Sequence, residues 1–211
     1  MTADPGRAAD DARERVLGAA YECVARFGFA KTTMADVGRA AGLSRATVYR
    51  LFPGGRDELF AAMVAWEMDR FFARMAAAVG DAGDFAAVVE GALVFAHREI
   101  RAHAALQQVL ATEPDRLLRF MTQQDARIRD AVVAYLRPRL DAEVAAGRVR
   151  PGIDLDDAAR FVATMGLSLM STPGRVDLED PDVVHRLVRG ELLGGILRAP
   201  GAAPSGPAGD R

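Results

Sequence analysis

The chain has 211 residues, of which half are hydrophobic and 27% charged, with a formal net charge of −2. Such a composition excludes a largely disordered chain and allows one substantial core plus a smaller satellite domain, at the usual ~100 to 200 residues per domain. The longest stretch without a charge, Phe161 to Gly174, is shorter than the ~18 apolar residues of a membrane span, and no basic, apolar leader is recognised, so a soluble cytoplasmic protein is expected. Cys23 is the only cysteine, which excludes an intrachain disulfide and a cysteine-based zinc site. It shares a helical spacing with Val16, Ala20 and Phe27 and reads as a small buried hydrophobe.

Residues 1–10 lack apolar periodicity and are expected to form a disordered tail, with a first helix over 11–27. Thr33 stands three residues before Asp36, a capping pair ahead of Met34, Val37, Ala40 and Ala41 at helical spacing. That helix should stop at Gly42, which takes a left-handed backbone without steric cost, with Leu43 packing into the angle that follows. Ser44 then opens a helix through Leu51, capping near Thr47. On it Ala46, Val48 and Leu51 are set apart from a face carrying Arg45, Tyr49 and Phe52. Two short capped helices joined by a glycine turn form a helix-turn-helix, whose second helix enters the major groove with its N-terminal residues at base edges.

Arg45 holds that N-terminal position, and arginine binds guanine bidentately. Thr33, Ser44, Thr47, Tyr49, Arg50 and Arg56 complete the candidate DNA contacts, the hydroxyls and guanidiniums serving phosphates, which fix register without reading sequence. Between residues 26 and 56 six basic residues face Asp36 alone, a local charge of +5 on a chain whose remainder sums to −7. A basic patch on an acidic chain fits a local nucleic-acid surface and disfavours general coating of DNA.

The order of a first helix, Gly28-Phe29-Ala30, Thr32-Thr33, Gly42-Leu43-Ser44, Thr47-Val48-Tyr49, Phe52 and Asp57-Glu58-Leu59-Phe60 resembles the DNA-binding domain of the TetR family of transcriptional regulators. The resemblance covers roughly the first third of the chain. It implies an all-α homodimer: an N-terminal three-helix DNA-binding domain (11–56), then a variable helical ligand-binding and dimerisation domain (57–199), then a tail (200–211). It further implies a repressor that binds a pseudo-palindromic operator and leaves it when a small-molecule effector enters. Two departures stand out. Phe52-Pro53-Gly54-Gly55-Arg56 replaces the family's frequent Phe-x-Ser-Lys, leaving Arg56 as candidate phosphate contact, and Gly38 stands where Ala is usual.

Beyond the basic segment the pattern is helical, with breaks at Gly80 to Gly83, Glu113-Pro114, Gly147 to Gly152 and Pro173-Gly174. A helix over about Asp57 to Val79 links the two domains, and tilting it as a body would change the separation of two recognition helices. A long helix over Gln123 to Ala146 contains Pro138, where a kink is expected. Met63, Trp66, Phe95, His97, His103, Gln107, Gln124 and Tyr135 are candidates to line an apolar cavity, for which a lipophilic effector is expected; taken singly, each is more readily a packed core residue. The last two helices, about Asp154 to Thr172 and Asp182 to Leu197, carry Phe161, Met165, Leu169, Leu187, Leu192 and Ile196 as candidate dimer contacts in a four-helix bundle. Folding back onto their own subunit is the alternative. His97, His103 and His185 lack metal-site spacing, and no catalytic motif appears, so neither an enzyme nor a cofactor is expected. A helical ligand-binding or protein-interaction module without DNA binding remains the competing reading.

Overall fold

The computed structural model describes residues 5–80, 82–171 and 176–198, and they are helical throughout, with no strand among them beyond one isolated antiparallel bridge. The order is α1 (Pro5–Lys31), α2 (Met34–Ala40), α3 (Arg45–Leu51), α4 (Gly55–Val79), α5 (Phe85–Ala102), α6 (Ala104–Thr112), α7 (Pro114–Ala145), α8 (Leu155–Ser171) and α9 (Pro181–Arg186), the last continuing as a π-helical turn over Leu187–Leu192. No described helix is long and apolar enough to cross a membrane.

Two compact units emerge, and the division is not the one expected at residue 57. The first unit joins residues up to Arg74 with Glu99–Thr122, and the second joins Met75–Arg98 with the chain from Gln123 onward. The reason is α6: its apolar face, Ala105 and Val109, is buried with Val16, Ala20 and Val24 of α1 and with Val37, Val48, Phe52, Leu59 and Met63. Cys23 lies in this core, and burial pushes its thiol up from the ordinary range.

The second core gathers Phe85, Val89 and Leu93 of α5, Leu136 and Leu140 of α7, Ala159 and Val162 of α8, and Val184, Val188, Leu193 and Ile196. Its polar tie is Glu143, which is buried, accepts from the Phe85 amide at 3.1 Å and pairs with Arg148.

Four further expectations are corrected. Residues 5–10 belong to α1 rather than to a tail, and the helical backbone breaks at Gly28 (φ 77°), one residue past the expected end. The stretch from Pro114 to Ala145 is a single helix with Pro138 inside it. The last helix ends at Leu192, not Leu197: a 2.9 Å bond from the Leu193 amide to the Val188 carbonyl widens the final turn. The chain then turns back to pair with 148–150, through Arg150 N–H to Ile196 carbonyl and Arg198 N–H to Arg148 carbonyl. Lastly, Leu192 and Ile196, expected at a dimer surface, are buried in their own unit's core, Leu192 at the end of the π turn and Ile196 in the segment that turns back toward 148–150. The expected break at Pro173-Gly174 and the tail 200–211 lie outside the described residues.

Candidate nucleic-acid interface

α2 begins where the sequence rules require. Thr33 N–H and Oγ1–H both donate to Asp36 Oδ2, at 3.2 and 2.6 Å, while Asp36 N–H donates to Thr33 Oγ1 at 3.2 Å. This reciprocal box satisfies the first orphan amides of the helix. The Thr33 hydroxyl, then its amide, hold the Asp36 carboxyl below its usual range. α2 ends through the Ala41 amide on the Val37 carbonyl, Gly42 takes φ 67°, and the Leu43 amide returns to the Gly38 carbonyl at 2.8 Å. Gly38 serves the close crossing: a methyl there would lie 3.0 Å from the Leu43 carbonyl and 3.3 Å from Val48 Cγ2.

Ser44 Oγ accepts from the Thr47 amide at 3.1 Å and lies 2.9 Å from Thr47 Oγ1, so α3 starts at Arg45. Val48 is wholly buried, whereas Arg45, Ala46, Tyr49 and Arg50 are exposed and Thr47 is half-buried. Arg45 lies over the Tyr49 ring, 5.3 Å from its centroid. Two placements differ from expectation. Phe52 is fully buried, because at φ −134°, ψ 75° it has already left the helix and turned inward, and Ala46 takes its place on the outer face.

Pro53-Gly54-Gly55 is a tight turn closed by the Gly55 amide on the Phe52 carbonyl at 3.0 Å, with Gly55 at φ 74°. Gly54 N–H donates to Glu58 Oε2 at 2.6 Å, so α4 is capped by its own carboxylate in place of a serine. Arg56 is half-buried and turned onto its own domain, with Nη1 3.5 Å from the Ala30 carbonyl and its guanidinium 5.8 Å from the Phe60 centroid.

Sequence reasoning missed the supports behind this surface. Arg13 donates to the Leu51 carbonyl at 3.2 Å and stacks on Phe52, fixing the end of α3 from α1. Thr32, fully buried, donates to the Gly28 carbonyl at 2.7 Å. Glu113 accepts from the Ala30 amide at 2.9 Å. Only Thr32 left a trace in the sequence, as a second threonine before the cap.

The candidate cavity residues divide evenly between the units, Met63, Trp66, His103 and Gln107 in the first and Phe95, His97, Gln124 and Tyr135 in the second. Met63 belongs to the first core, and Trp66 carries the Arg70 guanidinium 4.6 Å from its ring. His103 caps α6 through Nδ1, which accepts from the Leu106 amide, and the exposed Gln107 donates to the Ile100 carbonyl. His97 lies 3.7 Å from Glu179. Tyr135 Oη is buried without a hydrogen-bond partner, and the Arg139 guanidinium lies 3.8 Å from the centroid of its ring. A depression of about 320 Å³ lined by Val144, Val149, Arg150, Pro151, Ile153, Leu155 and Arg198 contains none of them. Of the candidate dimer contacts, Phe161 and Met165 on α8 are exposed, at 46% and 36%, and Leu169 and Leu187 are half-buried.

Two family models match the chain, bacterial regulatory proteins of the tetR family over residues 16–63 and a tetracyclin repressor-like C-terminal domain over residues 86–173. An uncharacterized HTH-type transcriptional regulator of Mycobacterium tuberculosis is 29% identical over 170 residues, covering 81% of this chain and 84% of that protein. Among solved structures, SmeT, the repressor of the Stenotrophomonas maltophilia multidrug efflux pump SmeDEF, matches with a TM-score of 0.59 at 24% identity, over 91% of this chain and 93% of its own. The SmeT–triclosan complex matches at 0.58 and 25% identity, over 92% and 95%.

Proposed function

This chain belongs to the TetR family of bacterial regulatory proteins, whose two models together span more than half of it, and from that premise we propose how it reads and leaves its operator. It is a helix-turn-helix transcriptional regulator. In our reading it binds a pseudo-palindromic operator as a homodimer, represses from it, and is released by a small-molecule effector.

The observation that carries this reading is the outer face of α3, where Arg45 and Arg50 stand exposed on a short helix capped by Ser44 and fixed from behind by Val48. Arg45 sits at the first turn, where a major-groove helix meets base edges, and its fork suits guanine O6 and N7. Ala46 presents a methyl beside it, suited to thymine. Thr47, Tyr49 and Arg50 reach for phosphates. Thr33 and Ser44 serve as caps that hold the helices, since their hydroxyls are already engaged, and Arg56 is assigned to positioning.

Two copies must place their α3 helices about one DNA turn apart, ~34 to 36 Å. The exposed Phe161 and Met165 of α8 offer an apolar face for that pairing, with Leu169 one turn further along the same helix. For release, an effector must prefer the conformation that does not fit the operator, and a hundredfold preference corresponds to about 2.7 kcal/mol of coupling. The binding of triclosan by the SmeT protein and the apolar residues around Tyr135 support a lipophilic compound with one group able to bond the Tyr135 hydroxyl.

Selection of bound duplexes from a random pool, followed by a salt series on the winner, tests the reading. An inverted repeat with a steep salt dependence is the expected result. Absence of enrichment by folded protein would favour a ligand-binding module that does not engage DNA.

A further inference from the structure

Ala30 lies at the end of α1, past the break at Gly28 and just before the capping box of α2, and its amide and carbonyl both face distant elements of the first unit. Its N–H donates to Glu113 Oε1 at 2.9 Å, and its carbonyl faces Arg56 Nη1 at 3.5 Å. Arg56 stands at the start of α4 and Glu113 immediately before α7. Both helices run on, past Arg74 and past Thr122, into the second unit, as α5 does past Arg98 in the other direction.

Glu113 is fixed by its own backbone. Its amide closes α6 on the Val109 carbonyl at 2.7 Å, and its carbonyl opens α7 by accepting from Arg116 and Leu117 at 3.0 and 3.1 Å. Its other carboxylate oxygen lies 3.5 Å from Arg116 Nη1, and that guanidinium sits 5.4 Å from the Phe29 centroid. The chain also leaves room for the carboxylate. Gly28 adopts φ 77°, and a methyl there would come within 2.7 Å of Glu113 Oε1.

We infer that Glu113 is a positioning residue for operator binding: from the α6–α7 corner its carboxylate holds the Ala30 amide and so sets the register of the 28–33 segment, and with it α2 and α3, against the starts of α4 and α7. Hydrogen bonds donated to a carboxylate are shorter and stronger than those between neutral groups, which suits a contact that must keep its geometry. In a dimer this register sets the separation of the two recognition helices. This inference rests on the operator-binding reading above.

The test is selection by the full-length protein from inverted repeats with randomised half-sites and variable spacers, together with amide hydrogen exchange at Ala30. Wild type should choose one spacing, and Glu113→Ala should lose about tenfold of that preference, keep the same half-site sequence and exchange Ala30 faster. Glu113→Gln, which keeps an acceptor for Ala30 without the charge toward Arg116, should retain the wild-type spacing. If Glu113→Ala does not fold, Glu113→Asp, shorter by one methylene, takes its place with the same expectation. Unchanged spacing and unchanged Ala30 exchange in the folded variant would overturn the inference. Failure of wild type to enrich any repeat would overturn the operator reading, and this inference with it.

Discussion

The guanidinium of Arg13 lies 4.4 Å from the centroid of the Phe52 ring and donates to the carbonyl of Leu51 beside it. α3 is only seven residues long, too short to be stable alone, so its direction depends on tertiary contacts. Arg13 supplies one at its C-terminal end, where a cation also complements the helix dipole.

Replacing Arg13 by Ala should therefore weaken binding to every sequence alike while leaving the preferred sequence unchanged. The lost stacking and hydrogen bond contribute roughly 1 to 2 kcal/mol to the fold. Thermal unfolding alongside affinity for specific and scrambled duplexes checks this. A change in sequence preference would show that Arg13 does more than orient the helix.

Arg45 and Arg50 should separate by their readouts. Arg45→Ala should relax discrimination at one base pair per half-site by about 1 to 3 kcal/mol. Arg50→Ala should lower affinity for all duplexes and flatten the salt slope by about 0.9 per lost phosphate contact. Titrations against single-base operator variants at several salt concentrations distinguish the two. Discrimination unchanged by Arg45→Ala would reassign base readout to another residue.

What was legible in the sequence follows the range of the interaction. The box of Thr33 with Asp36, the turn at Gly42 and the cap at Ser44 act within four residues, and each lies where local rules place it. α4 begins two residues before the expected Asp57 and ends at the expected Val79. Phe52 leaves the face that helical periodicity assigns it because α3 ends one residue earlier, at Leu51. Leu192 and Ile196 depart from α-helical periodicity because the π turn changes the register within 187–192 and the chain leaves the helix after it. The supports of the interface were not legible at all. Arg13 meets Leu51 across 38 residues and Glu113 meets Ala30 across 83, and spacing along a chain carries no sign of such pairings.

Gly28 should tolerate no side chain. Its φ of 77° strains any L-residue, and the added methyl would meet Glu113 Oε1 at 2.7 Å. Gly28→Ala should destabilise the first unit by roughly 1 to 3 kcal/mol. Gly42, at φ 67° with nothing within 4 Å of the added methyl, pays only the backbone term, so Gly42→Ala should cost less. Denaturant unfolding of the two variants checks the order, and equal losses would mean that the Glu113 contact contributes nothing.

Glu143 predicts an acid-labile second unit. Its bond from Arg148, with the Phe85 amide adding to it, holds its carboxyl below the ordinary range. The unfolded chain therefore takes up a proton first as pH falls, and stability present above the usual glutamate value, about 4.3, is lost as pH drops through the folded value. Glu143→Leu should destabilise at neutral pH, leaving the buried Phe85 amide without its acceptor, and should flatten the acid limb of the stability curve. Melting temperature followed from neutral pH into that limb reads both effects.

His103 carries a second and higher pH window in the first unit. Its ring packs edge-on against Tyr21, its Nε2 lies 3.7 Å from Glu67, and Glu67 and Glu99 share Arg74 beside it. Burial holds the imidazole below its ordinary value, opposed by Glu67. The neutral ring is also what the helix needs, because Nδ1 must be unprotonated to accept from the Leu106 amide. As pH falls below about 6.5 the unfolded chain protonates first, so the native state loses stability from there down through the depressed value. His103→Asn should keep a cap on α6, since Asn is a strong N-cap, while removing this slope; His103→Ala should lose ~1 kcal/mol at neutral pH and remove it too. Urea unfolding at several points between about pH 7.5 and 5.5 compares the three proteins. A wild-type slope matching that of His103→Asn would mean the imidazole does not couple to folding, whereas its loss in both variants would tie the α6 cap to the protonation of one ring.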